Sequence, residues 1–347
     1  MSISPVKQRV SGVILVDKPI GMTSQQVVSK VKYLFKSPIH DSKKAGHTGT
    51  LDPMATGLLP VCLGEATKFS HYQLDADKSY QATILLGQQT DTGDADGQVT
   101  AQAAVPELNE ALLDSIAQQF SGAQQQTPPM YSALKKDGKK LYEYARAGIE
   151  IERAARDIVI KDISLILVNA QQLQLTVTCT KGTYVRVLAE DIAKALGTLG
   201  HLIALRRLKT GKFLIDDAIT LPQLEALTLE DRLSQLLPID ACVDIEPKLT
   251  LDAEQCARVR QGQRLNVVNQ LTDSLQHYIS TTVAQELATA ENTNQQSITT
   301  DEETAHNQPV LHEMPVDIRL VDEQGQFIGL GAVSLNGRLQ PKKLIQL

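Results

Sequence analysis

Gly46-His47-Thr48-Gly49-Thr50-Leu51-Asp52-Pro53-Met54-Ala55-Thr56-Gly57 holds three glycines, three threonines and one proline. Such a run excludes a regular helix or a central strand. Pro53 biases Asp52 towards an extended backbone. It also removes one backbone donor beside the carboxylate. Asp52 is the only carboxylate between Lys43 and Pro60, with His47 five residues before it and Lys43 and Lys44 upstream. Taken alone the dipeptide reads as an Asp-Pro turn, because both residues are common in turns. The rest of the chain decides whether the turn displays a reactive acid.

Working outward, Val13-Ile14-Leu15-Val16 reads as a buried strand. Thr23 and Gln26 form a capping-box pattern ahead of Val27, Val28, Val31, Leu34 and Phe35 at helical spacing. Leu58–Leu63 and Lys78–Gly87 read as strands, the second with Tyr80 near its start. Residues 65–73, 106–120, 185–196 and 221–236 carry helical patterns, with Pro106 opening the second. Residues 158–167 and 173–179 alternate as paired strands do. Residues 37–50 and 124–129 read as loops.

The acidic run from Asp91 to Gly97 invites a calcium reading. Placing Asp94 and Asp96 third and fifth in an EF-hand loop puts Ala103 at the twelfth place, where an acid is required, so calcium is rejected. No phosphate-binding glycine-rich motif is present. Lys135, Lys136, Lys139 and Lys140, flanked by Tyr131 and Tyr142, read either as a phosphate-contact patch with stacking partners or as a solvated helix start. Arg186 opens a helix, where the macrodipole disfavours a cation, so an anionic neighbour is expected, or else a pair with Glu190 one turn on.

The 347 residues have an ordinary globular composition, with 42% hydrophobic and 21% charged residues, and length enough for about two domains. The four cysteines form no C-x-x-C pair, which argues against a zinc ribbon or a disulfide framework and fits a reducing compartment. No signal-peptide core and no membrane-spanning apolar run is evident, so a cytoplasmic protein is expected. Charge is uneven: residues 1–212 carry 25 Lys and Arg against 20 Asp and Glu, and residues 213–347 carry 9 against 20. The basic front half is compatible with a polyanion. Beyond Pro238 strands shorten and turns multiply, including Asp322–Gly325 and the hairpin signal Asn336-Gly337. Two domains are expected, 1–246 and 247–347, the second interrupted by a polar segment, 270–309, expected to be disordered.

One acid and no metal or cofactor pattern leaves chemistry that a single carboxylate can run. Candidates are attack at an acetal carbon and support of an oxocarbenium-like centre. A hydrolytic glycosidase wants a second carboxylate, which Asp91, Asp94 or Asp96 could supply. Isomerisation of a nucleoside needs only one, with the base flipped out and held against an aromatic such as Tyr80.

Four ordered stretches sharpen this: Asp17-Lys18-Pro19 with Gly21-Met22-Thr23-Ser24; residues 46–57; Lys78-Ser79-Tyr80 running to Leu86-Gly87 and Thr90-Asp91-Thr92; and Gly182-Thr183-Tyr184-Val185-Arg186. Residues 128–133 and Leu205-Arg206-Arg207 agree. Over residues 10–245 the chain closely resembles the TruB-type tRNA pseudouridine synthases, which isomerise uridine 55 in the T-loop of tRNA. The resemblance implies an α+β fold, with a mixed, largely antiparallel sheet, flanking helices and a small β-rich PUA-like C-terminal domain. It implies that Asp52 is the nucleophile and pairs with Arg186. Tyr80 would stack on the base and help remove its C5 proton. His47 would help open the T-loop, and Tyr184 and Leu205 would line the uridine pocket. Residues 128–147 would belong to an element that clamps tRNA. No cofactor and no metal are implied, and nothing requires an oligomer. An additional tRNA-folding role is the alternative non-catalytic expectation.

Overall fold

The computed structural model describes residues 7–294 and 311–346. The chain forms two compact units, Met1–Cys242 and Val243–Leu347.

The first unit is built on strands β1 (Gly12–Lys18), β2 (Ala45–His47), β3 (Thr56–Leu63), β4 (Lys78–Leu86), β5 (Gly122–Gln126), β6 (Arg156–Asn169), β7 (Gln172–Cys179), β8 (Gly200–Thr210) and β9 (Ile219–Thr220). They form one sheet in the order β9-β1-β3-β8-β4-β7-β6-β5, with β2 and the two-residue strand Phe213–Leu214 attached beside β3 and β8. Only the β9–β1 and β3–β8 pairings are parallel, so the sheet is mixed and largely antiparallel, as expected. Helices α1 (Ser24–Leu34), α2 (Glu110–Gln119), α3 (Leu141–Arg146) and α4 (Val185–Ala195) accompany it. α1 starts where the sequence says: Thr23 accepts from the Gln26 N–H, and Gln26 reaches back to the Thr23 N–H. Its buried stripe, Val27, Val28, Val31 and Leu34, joins the core formed with Val16, Leu59 and Val61. α4 contributes Leu188, Ala189 and Ile192 to the same core.

The short parallel contact between β3 and β8 pairs Arg206 with Thr56 and Arg207 with Gly57. Gly57 has φ +104°, and a Cβ there would lie 2.3 Å from the Arg207 carbonyl oxygen. A backbone oxygen cannot give way as a flexible side-chain tip can, so glycine is required where the strands close.

The second unit is a five-stranded sheet, β10 (Lys248–Leu251), β11 (Leu265–Asn266), β12 (Val316–Asp322), β13 (Phe327–Val333) and β14 (Arg338–Leu344), in the order β10-β12-β13-β14-β11, with helices α5 (Ala253–Arg260) and α6 (Asp273–Asn294). Both expected turns are present: Gly325 N–H donates to Asp322 O, and Gly337 N–H to Ser334 O.

The structure corrects several local expectations. Residues 221–236 form two helices, Leu221–Ala226 and Leu229–Ser234, because Thr228 caps a new one. α2 starts behind Asn109, whose side chain caps it, rather than at Pro106. Residues 65–73 divide into a 3₁₀ turn, Gly64–Lys68, and one helical turn, His71–Leu74. Gln124–Gln126 are strand, not loop. The four lysines are a hairpin, not a helix start: Lys135–Lys136 pair with Lys139–Lys140 around Asp137 and Gly138, both at positive φ, which Asp-Gly permits. Part of the segment expected to be disordered is helical: α6 packs Leu275, Ile279 and Val283, four residues apart, on the second core, and the Tyr278 hydroxyl donates to Asp317 O at 3.2 Å. That narrow apolar stripe is diluted by Ser, Thr and Gln in the overall composition. The remainder, 295–309, lies outside the described residues.

Candidate active site

The ends of the opening stretch lie in β2 and β3, and its centre is irregular. Asp52 begins a turn closed by the Ala55 N–H on the Asp52 carbonyl at 3.0 Å, with Pro53 at the position its fixed φ favours. Two partners from residues 18–24 hold the turn. The Leu51 N–H donates to Ser24 Oγ at 2.8 Å, and Ser24 Oγ donates to Leu51 O at 3.1 Å. Lys18 Nζ donates to Met22 O (2.6 Å), Pro19 O (3.0 Å) and Pro53 O (3.3 Å). From β8, Arg207 donates through Nη2 to Gly49 O at 3.2 Å and through Nε to Leu58 O at 2.7 Å. The carboxylate is thus displayed on a loop whose carbonyls are tied down from both sides.

Arg186, the second residue of α4, turns into this loop. Its Nε lies 3.1 Å from Asp52 Oδ2, and its Nη1 lies 3.3 Å from Asp94 Oδ2. Nη1 also donates to Thr92 O (2.8 Å) and Nη2 to Tyr131 O (2.7 Å). Among the described residues its ion pairs are with these two aspartates, not with Glu190. Asp94 is fixed in turn: its Oδ1 accepts from Thr92 Oγ1 at 2.6 Å and from the Asp96 N–H at 3.1 Å.

An arginine placed as Arg186 is favours the ionised form of Asp52. The arginine does pull in that direction, but burial pushes the Asp52 pKa up by more, and Asp94 adds to the rise. The Asp52 side chain retains 38% of its surface, so this is the desolvation of a cleft wall rather than of a closed core. Lys18 feels the same desolvation, which lowers its pKa to about 8 against the opposing pull of Asp52.

Tyr80 lies on β4 between Val177 of β7 and Arg207 of β8. Its ring is part of the core, and Arg207 is its direct cross-strand neighbour on β8. Leu205 precedes Arg207 by two residues on β8 and faces the same side of the sheet. Arg206 faces the other side, where it makes a bidentate pair with Asp17 at 2.7 and 3.0 Å. Tyr184 caps α4, and its backbone exchanges two hydrogen bonds with the Gln126 side chain at 2.7 and 3.2 Å. Burial raises its phenol pKa, and both Arg186 and Asp52 act on it. His47 Nδ1 accepts from the Gly49 N–H at 3.3 Å. Burial first and then Arg207 lower its pKa, which favours the neutral imidazole.

The structure therefore gathers Asp52, Arg186 and Tyr184 directly and places Tyr80 and Leu205 on the adjoining sheet face. His47 joins them through Gly49 and Arg207. Two residues escaped the sequence reading as site groups, Lys18 and Arg207, and Asp94, which it offered only as a second acid, proves to be a partner of Arg186. The contacts that give them meaning, to Pro53, Gly49 and Arg186, are remote in sequence.

On the lysine hairpin, Lys140 Nζ lies 5.4 Å and Arg146 Cζ 5.3 Å from the Tyr142 ring centroid. The four lysines are mostly exposed.

Comparison with known proteins bears on this arrangement. Residues 37–185 match the model of the TruB family pseudouridylate synthase N-terminal domain. Residues 186–244 match the tRNA pseudouridylate synthase B C-terminal domain, and residues 308–345 the pseudouridine synthase II TruB C-terminal model. A protein of Psychrobacter cryohalolentis named tRNA pseudouridine synthase B is 73% identical over 344 residues, covering 99% of this chain and 96% of the relative. A protein of the same name from Methylobacillus flagellatus is 40% identical over 346 residues, covering 100% and 99%. Among solved structures, an H/ACA ribonucleoprotein bound to a substrate RNA containing 2′-deoxyuridine has a chain similar at TM-score 0.62 and 20% identity. That likeness covers 97% of this chain and 85% of the other, and it is one of fold.

Proposed function

From the premise that this chain belongs to the TruB family of pseudouridylate synthases, and is therefore an isomerase that forms pseudouridine in tRNA, we propose that its target is uridine 55 of the T-loop. In this reading the nucleotide is flipped from its stack and its N-glycosidic bond is broken with Asp52 as the only nucleophile. Asp52 attacks the sugar while Arg186 holds the carboxylate at the reacting carbon. The detached base turns against Tyr80 and is rejoined through C5. Tyr184 and Leu205 line the pocket, and neutral His47 helps open the T-loop by occupying space near the flipped base.

The observation that carries this reading is the single arginine gripping Asp52 and Asp94 together. It separates the two acids by role. Asp94 is buried and tied by Thr92, Asp96 and Arg186, so it is a strut and not a second acid free to protonate a leaving group. That favours isomerisation over hydrolysis, which needs both carboxyls available.

The lysine hairpin and Tyr142 supply phosphate contacts and a stacking surface beside the site. The second unit is read as a PUA-like RNA-binding domain whose exposed Arg258, Arg260 and Arg264 face outlying phosphates, since its overall charge is acidic. The enzyme is read as a cytoplasmic monomer that uses no cofactor or metal. An additional tRNA-folding role would persist without catalysis.

A T-arm stem-loop carrying 5-tritiated uridine at position 55 tests the reaction. Tritium should reach water while the base stays in the RNA. Free uracil in the supernatant would contradict isomerisation, and release only from a uridine elsewhere would contradict the assigned position.

A further inference from the structure

Arg207 is nearly solvent-free, with 1% of its surface accessible. It donates to two carbonyls, Leu58 O and Gly49 O, and lies directly across the strand pair from Tyr80 on the same sheet face. Among the described residues no carboxylate pairs with it. A guanidinium held in a core without a counter-ion is costly, and the two carbonyls need donors, not a charge. The remaining polar neighbour across the strand pair is Tyr80. We propose that Arg207 is a positioning residue for Tyr80: it fixes the phenol hydroxyl and supports negative charge on that oxygen while a proton leaves C5 of the isomerising base. The proposal rests on the isomerase reading above and goes beyond it.

The surroundings fit that role. Tyr80 and Arg207 are cross-strand partners on β4 and β8, so their separation is set by sheet register rather than by a flexible loop. The groups acting on the Tyr80 phenol are Arg207, Cys179 on β7 and Asp52 in the turn. Burial raises its pKa, and Arg207 both by charge and by hydrogen bond opposes the rise, whereas Cys179 and Asp52 add to it. Burial first and then Arg207 lower the pKa values of His47 and Lys78.

The step balances without an external reagent. Once C5 is joined to the sugar it still carries its hydrogen, and N1 is doubly bonded to C6. The C5–H bond breaks, its electron pair forms the C5–C6 double bond, and the C6–N1 π pair moves to N1. The Tyr80 oxygen takes the C5 proton as its own hydroxyl proton passes to N1. The charge that builds on that oxygen during the exchange is what Arg207 offsets.

The test compares wild type, Arg207→Lys, Tyr80→Phe and the double variant in single turnover. The substrate is a T-arm stem-loop carrying 5-protio or 5-deuterio uridine, assayed across pH. Arg207→Lys keeps the charge but loses the fork. It should slow proton removal by about tenfold to a hundredfold, raise the isotope effect and move the rate profile to higher pH. RNA affinity should stay within about threefold. In the Tyr80→Phe background the same change should add almost nothing. Equal slowing in both backgrounds, with isotope effect and pH profile unmoved, would make Arg207 merely structural and overturn the proposal. Should Arg207→Lys not fold, Tyr80→Phe still decides. The Arg207 guanidinium resonances of the folded protein should shift when the hydroxyl is removed, and unshifted resonances would overturn the contact. Absence of turnover by wild type would defeat the isomerase reading itself, which is a separate outcome.

Discussion

Two buried arginines approach the opening loop from opposite sides, and their company differs. Arg186 enters from a helix and meets two carboxylates. Arg207 enters from the sheet and meets carbonyls and a phenol. The first pair of contacts neutralises charge and fixes where Asp52 stands. The second leaves a positive charge over, beside Tyr80. One site thus combines a held carboxylate with an uncompensated buried cation, and the difference lies in partners and not in residue type.

Breaking the Arg186 side of that contrast should have the largest effect. Arg186→Met leaves Asp52 and Asp94 facing each other without a cation. Losing the charged group that positions the carboxylate should slow single-turnover isomerisation by about a thousandfold. A loss under tenfold would mean that the arginine does not organise the site. Asp94→Asn tests the strut alone. It keeps the shape, frees Arg186 to serve Asp52, and should cost about a hundredfold by loosening the clamp.

The same substitution should also move the pH profile, which sharpens the contrast further. In the proposed reaction Asp52 attacks in its ionised form. Its pKa is raised by burial and by Asp94, so the wild-type rate should fall, on acidification, at a pH above the ordinary carboxylate value of 3.8. Removing the Asp94 charge should shift that limb to lower pH. A limb that stays in place would assign it to another group. In stability the sign is opposite to that of a salt-bridged acid: a raised folded pKa means that ionising Asp52 weakens the fold as pH climbs through that window.

The smallest expected effect lies far from either arginine. Tyr278→Phe removes the hydrogen bond by which α6 holds Asp317 O. It should lower thermal stability of the second unit by about 1 kcal/mol and leave turnover unchanged. A change in turnover there would couple the second unit to the chemistry.

Much of this was legible in the sequence. The Thr23 cap, the strand carrying Tyr80 and the helix opening at Arg186 follow from local pattern, and the display of Asp52 follows from Asp-Pro and its glycines. What failed was either composite or long-range. Asp94 looked like one of several loop acids, because its meaning comes from Arg186, which is 92 positions later. Arg206 and Arg207 were not told apart in the sequence, yet strand alternation sends Arg206 to Asp17 and Arg207 into the core. α6 hid its stripe of Leu275, Ile279 and Val283 among polar residues, and the lysine run concealed a hairpin whose only signal was Asp137-Gly138.

The central claim is that one carboxylate, Asp52, does the covalent work. It is tested by tritium release from a T-arm stem-loop by Asp52→Asn, alongside a binding measurement on the same RNA. The account predicts release indistinguishable from a no-enzyme control, with RNA affinity within about threefold of wild type. Release at the wild-type rate would contradict it.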